Sequence, residues 1–440
     1  MEVSIWRRWN SISFSHCRQV LALLAICLFT QPSGAYSVLT HEQVVDLLWN
    51  DQIRPILLKR FPGSTEDQLR QAHAYAYGGC VLQDMGYYPF GNKYFSDLVH
   101  YVRTGDFVEA LLRDASDLNE YAFALGALAH YASDNSGHPV INKVVAIEFP
   151  KLRAKYGDKV TYAEDPKAHI RTEFGFDMVQ VAKNRYTSDH YHDFIGFEVA
   201  KPLMERSFQE TYSLRLEDVF GDLDLAIGTY RRSVSKLIPQ LTRVALLSRH
   251  DELVRETPNF SKEKFLYSLS RTGYEKEWGT VYRKPGFGAR MLSILLKIIP
   301  KIGPFATVDF KIPTTQTEDM YIKSVNTTVE SYGHQLRTLD ASGHLDLANL
   351  DCDTGADVAL GEYELADKTY AKLVEDLAKK KFDQISPELR ADLLHFYAPA
   401  NVSTRIKTAD KKEQKALKKT MEQVEKLKVQ TVTASTANRS

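Results

Sequence analysis

The chain has 440 residues, and its 56 lysines and arginines balance 56 aspartates and glutamates to a formal net charge of zero. That balance excludes a global field drawing the protein to nucleic acid or to an anionic membrane, while 44% hydrophobic and 11% aromatic residues suffice for more than one core. Four cysteines in so long a chain exclude a disulfide scaffold.

Read from the start, residues 1–35 have the form of a secretory signal. Arg7, Arg8 and Arg18 precede an apolar stretch over residues 20–29, and Ser33-Gly34-Ala35 supplies the small residues at a cleavage point. The stretch is too short for a stable membrane span. Cleavage before Tyr36 makes the mature protein secreted or periplasmic and removes Cys17 and Cys27. Cys80 and Cys352 are left to pair or stay free.

From Thr40 onward the apolar period is helical almost throughout. Thr40 with Gln43 has the spacing of a capping box, which puts His41 in a first helical turn. Ser64-Thr65-Glu66-Asp67 opens a second helix, ending near Asp84 and Gly86. Phe95, Leu98, Val99 and Val102 mark a third, and residues 106–115 a fourth. The fifth, over residues 116–134, carries Ala122, Ala124, Gly126, Ala127 and Ala129, a stripe that lets a neighbouring helix come close; His138 follows at its end. Asp165-Pro166 is an N-cap with proline in the first turn, so a helix starts there and holds His169 and Glu173. Residues 216–247 form a further amphipathic run.

Beyond Asp251 the texture changes. Residues 272–289 are rich in glycine, tyrosine and charge, residues 291–302 suit a buried inter-domain helix better than a segment docking on lipid, and residues 306–312 are the best strand candidate. Helical patterning resumes over residues 319–395, with Ser386-Pro387 as another start, and residues 407–428 read as a solvated charged helix. The last ten residues have the composition of a disordered tail. The organisation is a signal (1–35), a first helical domain (36–255), a mostly helical C-terminal region (256–405), and a charged helix with tail (406–440). The fold class is all-α.

Three groupings carry chemistry. His130 and Asp134 stand at i,i+4 on one helix face, with His138 beyond them. His169 and Glu173 repeat that spacing on another helix. Asp84 and His100 lie on consecutive helices, and His41 sits near the start of the mature chain. Each has an ordinary explanation as a surface pair, a turn cap or a core histidine. Together they place imidazoles and carboxylates on apolar-patterned helices, where unpaired charge is expensive. Metal binding offsets that cost, and this donor set suits zinc. His73, His190, His192, His250, His334, His344 and His395 lack such a partner in a helix, apart from the loop-like Asp189-His190-Tyr191-His192-Asp193.

The order Tyr36, His41, Asp84, His100, His130, Asp134, His138, His169, Glu173 resembles the ligand order of the zinc-dependent phospholipase C family, related to the S1/P1 single-strand nucleases. The stretch from Ala74 to Gly91 also looks like bacterial members of that family. The resemblance covers about the first half of the mature chain and implies a phospholipase C/P1 nuclease-like helical domain with three zinc ions. One ion takes Asp84, His100, His130 and Asp134; a second takes Tyr36, through its free amine and carbonyl, with His41 and a shared Asp134; the third takes His138, His169 and Glu173. Asp84 doubles as the catalytic base or orienting group for water. Four positions depart from the family: tyrosine replaces the usual tryptophan at the mature start, His138 follows Asp134 by only four residues, Met85 follows Asp84, and Phe174 follows Glu173. The headgroup and nuclease specificity residues therefore do not transfer.

These features imply a secreted zinc-dependent phosphodiester hydrolase that cleaves phospholipid headgroups and makes transient contact with a membrane surface. The alternatives are a single-strand nuclease, disfavoured by the lack of a basic groove, and a non-catalytic zinc-stabilised helical binding protein. Head-group choice, the bond cleaved and oligomeric state have no signature in the sequence.

Overall fold

The computed structural model describes residues 37–182, 196–238, 252 and 310–437. The signal segment, Tyr36, residues 189–193, 239–247, 272–289 and 291–302 lie outside the described residues.

The described elements are helical apart from one short ribbon. Helix α1 (Val38–Leu48) passes through a π-turn (Trp49–Ile53) into α2 (Arg54–Arg60). Then come α3 (Glu66–Cys80), a 3-10 turn (Leu82–Tyr87), α4 (Lys93–Tyr101), α5 (Thr104–Asp114), α6 (Leu118–Glu148), α7 (Pro150–Tyr156) and α8 (Pro166–Ala182). Next are α9 (Lys201–Tyr212), α10 (Leu216–Val219) and α11 (Leu223–Arg232). The C-terminal region supplies α12 (Thr315–Ser342), strands β1 (Leu350–Asp351) and β2 (Ala356–Asp357), α13 (Glu364–Lys379), α14 (Pro387–Phe396), α15 (Pro399–Thr408) and α16 (Lys411–Ala437). The all-α class stands.

Local chemistry sets most boundaries. Thr65 and Gln68 form a reciprocal capping box at α3. The Asp117 carboxylate accepts from the Glu120 amide to start α6, and the Asp165 carboxylate accepts from Ala168 N at 2.8 Å to start α8. Ser386 caps α14 in the same way, ahead of Pro387.

Five features differ from the sequence reading. Helix α1 begins at Val38 after Ser37, and the Thr40 hydroxyl is not a cap; it donates to Asp177 Oδ1 at 2.6 Å. A tertiary carboxylate has outcompeted the local capping site. Helix α6 does not end at His138 but continues through Pro139 to Glu148. Pro139 removes only its own donor, and Ile141, Val144 and Val145 bury fully in a second apolar cluster that holds the last turns in place. Residues 310–312 form no strand; Lys311 N donates instead to the Arg171 carbonyl on α8. Helix α16 extends to Ala437, into the segment whose composition suggested disorder. The amphipathic run from Leu216 is broken by the Asp222 cap between α10 and α11.

Helix α6 is the axis. On one side α3 crosses it so closely that a Cβ on Gly79 would lie 1.9 Å from the Phe123 carbonyl oxygen, and one on Gly126 would lie 2.1 Å from that of Ala76. The small-residue stripe is therefore a backbone contact, and it fixes the spacing between Asp84, just past α3, and His130 on α6. On another side α12 docks, with the Tyr332 hydroxyl donating to Leu125 O at 2.9 Å. One core cluster joins Phe95, Leu98 and Phe208 to Tyr370, Leu373, Leu389, Leu393 and Leu427, so side chains from before and after residue 255 pack together. No described helix is long and apolar enough to cross a membrane.

Gly126→Val should force α3 and α6 apart, because backbone atoms cannot yield as a flexible side chain does. Overpacking of this kind costs about 1–3 kcal/mol or more. Urea unfolding checks it; an unchanged midpoint would mean that the crossing is not a rigid contact.

Candidate metal centre

Asp134 is fully buried in mid-α6 and faces four imidazoles from three helices. Its Oδ2 lies 3.0 Å from His130 Nε2 and 3.2 Å from His100 Nε2. Its Oδ1 lies 3.6 Å from His41 Nε2 and 4.0 Å from His138 Nε2. The two oxygens thus look toward different histidine pairs. His130 comes from the preceding turn of α6, His138 from the following turn, His100 from the end of α4 and His41 from the first turns of α1. Asp84, in the 3-10 turn, brings Oδ1 within 3.6 Å of His100 Nε2. Two sets of donor atoms are close enough to share an ion: His41, His130 and Asp134, and Asp84, His100 and His130.

The far ring nitrogens are anchored to backbone. His130 Nδ1 faces the Cys80 carbonyl at 2.9 Å and His100 Nδ1 the Ser96 carbonyl at 2.7 Å. Carbonyls accept, so both rings carry hydrogen on Nδ1 and turn bare Nε2 lone pairs toward Asp134. That tautomer suits ligation and leaves no proton for the carboxylate. Among the described residues neither Asp134 oxygen, nor Asp84 Oδ1, has a hydrogen-bond partner. Buried carboxylate oxygens facing bare nitrogens are what a cation requires.

Without a cation, protons on the imidazoles take its place: burial lowers His100, but Asp134 and Asp84 raise it above its ordinary value. Burial by itself would raise the Asp134 carboxyl, yet the adjacent His130, His100 and His138 hold it well below the usual carboxylate range. Burial pushes Asp84 and Glu173 well above that range and drives His41 well below its ordinary value. Among the described residues no lysine or arginine pairs with Asp84, Asp134 or Glu173. Several acids with only imidazoles for company make a cavity in need of positive charge. The donor set fits zinc.

His169 and Glu173 lie on α8, with Nδ1 3.3 Å from Oε1, while His169 Nε2 donates to the Val160 carbonyl at 2.6 Å. The His138 and His169 rings are 6.3 Å apart. The described residues therefore bring His41, Asp84, His100, His130, Asp134, His138, His169 and Glu173 into one buried region, whereas Tyr36 is not described. Cys80 and Cys352 are both buried and unpaired.

Three acidic groups escaped the sequence reading. Asp353, from the turn between β1 and β2, places Oδ1 3.1 Å from His138 Nδ1. Despite burial, which raises it, His138 and the Tyr363 hydroxyl hold its carboxyl at about 2. Its signal was the run Asp351-Cys352-Asp353-Thr354-Gly355, a polar turn inside a helical region. Asp177, one turn beyond Glu173, accepts from Leu39 N at 3.1 Å and from the Thr40 hydroxyl, and so moors the segment carrying His41. Burial, opposed by these donors, holds its carboxyl up at about 7. Asp46 meets His73 at 2.9 Å and the Tyr77 hydroxyl at 2.6 Å, a pairing between helices that spacing within one helix could not reveal.

Beside this region opens a cavity of about 640 Å³ lined by Tyr87, Tyr88, Phe90, Tyr162 and Leu365, with Lys93 at its edge. The Tyr87 ring lies 6.2 Å from that of His100, and the Tyr162 ring 6.1 Å from that of His169. Two residues of the cavity wall thus pack near candidate ligands at either end of the centre.

Residues 40–222 match the model of the family described as zinc dependent phospholipase C. This domain belongs to the zinc-dependent phospholipase C family. Members are phospholipid-hydrolysing zinc enzymes, and the buried His and Asp groups of the domain are able to hold metal. No curated protein and no solved structure matches the chain. The match includes Asp84, His130, Asp134 and Glu173 but stops short of Asp353.

Asp177→Ala should release α1, because it strands the Leu39 amide and the Thr40 hydroxyl at a cost of about 1–3 kcal/mol. Hydrogen exchange should accelerate over residues 38–48 before any other helix. Equal protection in the variant and the parent would show that Asp177 does not moor His41.

Proposed function

We propose that this protein is a secreted phospholipase C-type hydrolase holding three zinc ions, which cleaves the phosphodiester linking a phospholipid to its headgroup. The observation that carries this reading is Asp134, whose two buried oxygens face separate histidine pairs. Asp84, His100 and His130 would hold one ion on the Oδ2 side. His41, with the amine and carbonyl of Tyr36, would hold another on the Oδ1 side, and His138, His169 and Glu173 the third. When bound, zinc supplies Lewis-acid polarisation of phosphate oxygens and lowers the pKa of water.

The chain's own residues do the rest. Asp134 keeps the two sides of the centre at fixed separation. Asp84 doubles as the base or orienting group for the attacking water. The aromatic walls formed by Tyr87, Tyr88, Phe90 and Tyr162 take the apolar part of a lipid, and Lys93, the one cation among the described lining residues, turns its ammonium from Asp97 to a phosphate. A wall with one cation suits a phospholipid better than a polynucleotide, whose binding draws on several. Phe90 is 59% exposed at this rim and makes the transient contact with a lipid surface.

The purified mature chain should hydrolyse phosphatidylcholine vesicles and leave single-stranded DNA intact. Cleavage of DNA alone would identify a nuclease, and no turnover of either would favour a zinc-stabilised scaffold. Asp134→Asn should lower lipid hydrolysis by about 10²-fold or more and by more than Glu173→Gln does. Near-normal activity in the first variant with loss in the second would refute the bridging role.

Chelation should also lower the melting temperature, since the donors lie on separate helices and metal binding is part of folding. Thermal scans with and without chelator read this; identical curves would contradict it.

A further inference from the structure

We propose that Asp353, supplied by the C-terminal region, is a positioning residue of the metal centre that fixes the ring of His138; this rests on the zinc reading above.

The route by which Asp353 arrives can be followed residue by residue. Pro139 has no amide hydrogen, so the Asn135 carbonyl one turn earlier on α6 loses its helical donor. The turn between β1 and β2 lodges at that gap. Gly355, with φ of +67°, approaches so closely that a Cβ there would stand 2.7 Å from the Asn135 oxygen and 2.9 Å from the Pro139 ring. Asn142, one turn beyond the proline, donates to the Asp353 carbonyl at 2.8 Å. Next to it in sequence, Cys352 N donates to the carbonyl of His100 at 3.0 Å. The turn is thereby tied to two helices that carry candidate ligands.

Its own geometry is closed. Gly355 N donates to Asp351 O at 2.7 Å, and the Asp353 amide donates to the Asp351 carboxylate at 2.8 Å. The Asp353 side chain is then clamped. Tyr101 from α4 donates to its Oδ2 at 2.8 Å, and Tyr363, at the start of α13, donates to the same oxygen. Oδ1 is left facing His138 Nδ1 at 3.1 Å, while His138 Nε2 looks the other way toward Asp134. The contact is an ion-pair approach rather than an aligned hydrogen bond, and a carboxylate beside one ring nitrogen favours the hydrogen there and the lone pair on the other. Two tyrosines aimed at a single oxygen are more than burial alone requires. They set the carboxylate's direction, and through it that of the ring.

The consequence is that the centre is incomplete within residues 40–222. His138, the ligand whose spacing departs from the family, stands on the helix turn disturbed by Pro139, and a segment outside the matched domain holds it.

The test uses the full mature chain, with Asp353→Asn as the variant of nearly equal shape. Zinc transfer to a chromogenic chelator and the visible spectrum of the Co²⁺-loaded protein are compared with the parent. One ion should bind about 10–100-fold more weakly, the others should be unchanged, and the cobalt bands should shift. Tyr363→Phe, which loosens the clamp without touching His138, should give a smaller change of the same kind and carries the test if the first variant fails to fold. Parent-like zinc affinity and cobalt spectra in both variants, with zinc held by the parent, would overturn the role of Asp353 and leave the zinc reading standing. A uniform loss at every ion, matched by equal destabilisation of the metal-free protein, would mark Asp353 as merely structural. A parent chain that holds no zinc would overturn both readings.

Discussion

Burying Asp134 is the constraint on which the rest depends. An ionised carboxylate inside a helical core costs several kcal/mol unless it is compensated, and here the groups within reach are imidazoles whose protons are engaged elsewhere. His100 and His130 direct their Nδ1 hydrogens to backbone carbonyls, leaving Asp134 among lone pairs. The arrangement is stable as a cage around positive charge. Every neighbouring feature serves it: the glycine crossing that brings the Asp84 turn to α6, the Asp177 mooring of α1, and the turn that carries Asp353.

The fold meets this demand with local, sequence-encoded devices. Side-chain caps at Thr65, Asp117 and Asp165 start the helices that deliver Asp84, His130 and His169. Gly79 and Gly126 allow the backbone approach that lets donors from separate helices meet. The C-terminal helices contribute to the same apolar core, so the second half of the chain supports the centre as well as adding mass.

What was legible in the sequence follows from the range of the interactions. His130 with Asp134 and His169 with Glu173 are one turn apart, and that period is visible in any helix. The all-α class and most helix starts were legible for the same reason. Thr40 misled because a capping box is judged locally, whereas its hydroxyl belongs to Asp177, 137 positions away. The sequence reading puts His138 at a helix end, but burial of Ile141 and Val144 carries the helix on through Pro139. Asp353 shows in the sequence only as part of a polar turn, and its significance arises when that turn from the C-terminal region meets α6. His73 and Asp46 illustrate the same limit, as partners on different helices.

The central claim is that Asp134 separates two ions. Diffraction from crystals of the mature protein, recorded on both sides of the zinc absorption edge, tests it most directly. The account predicts one anomalous peak between Asp134 Oδ2, His100, His130 and Asp84, and a second between Asp134 Oδ1 and His41. Absence of zinc signal around Asp134, or one peak that leaves either oxygen uncoordinated, would contradict it.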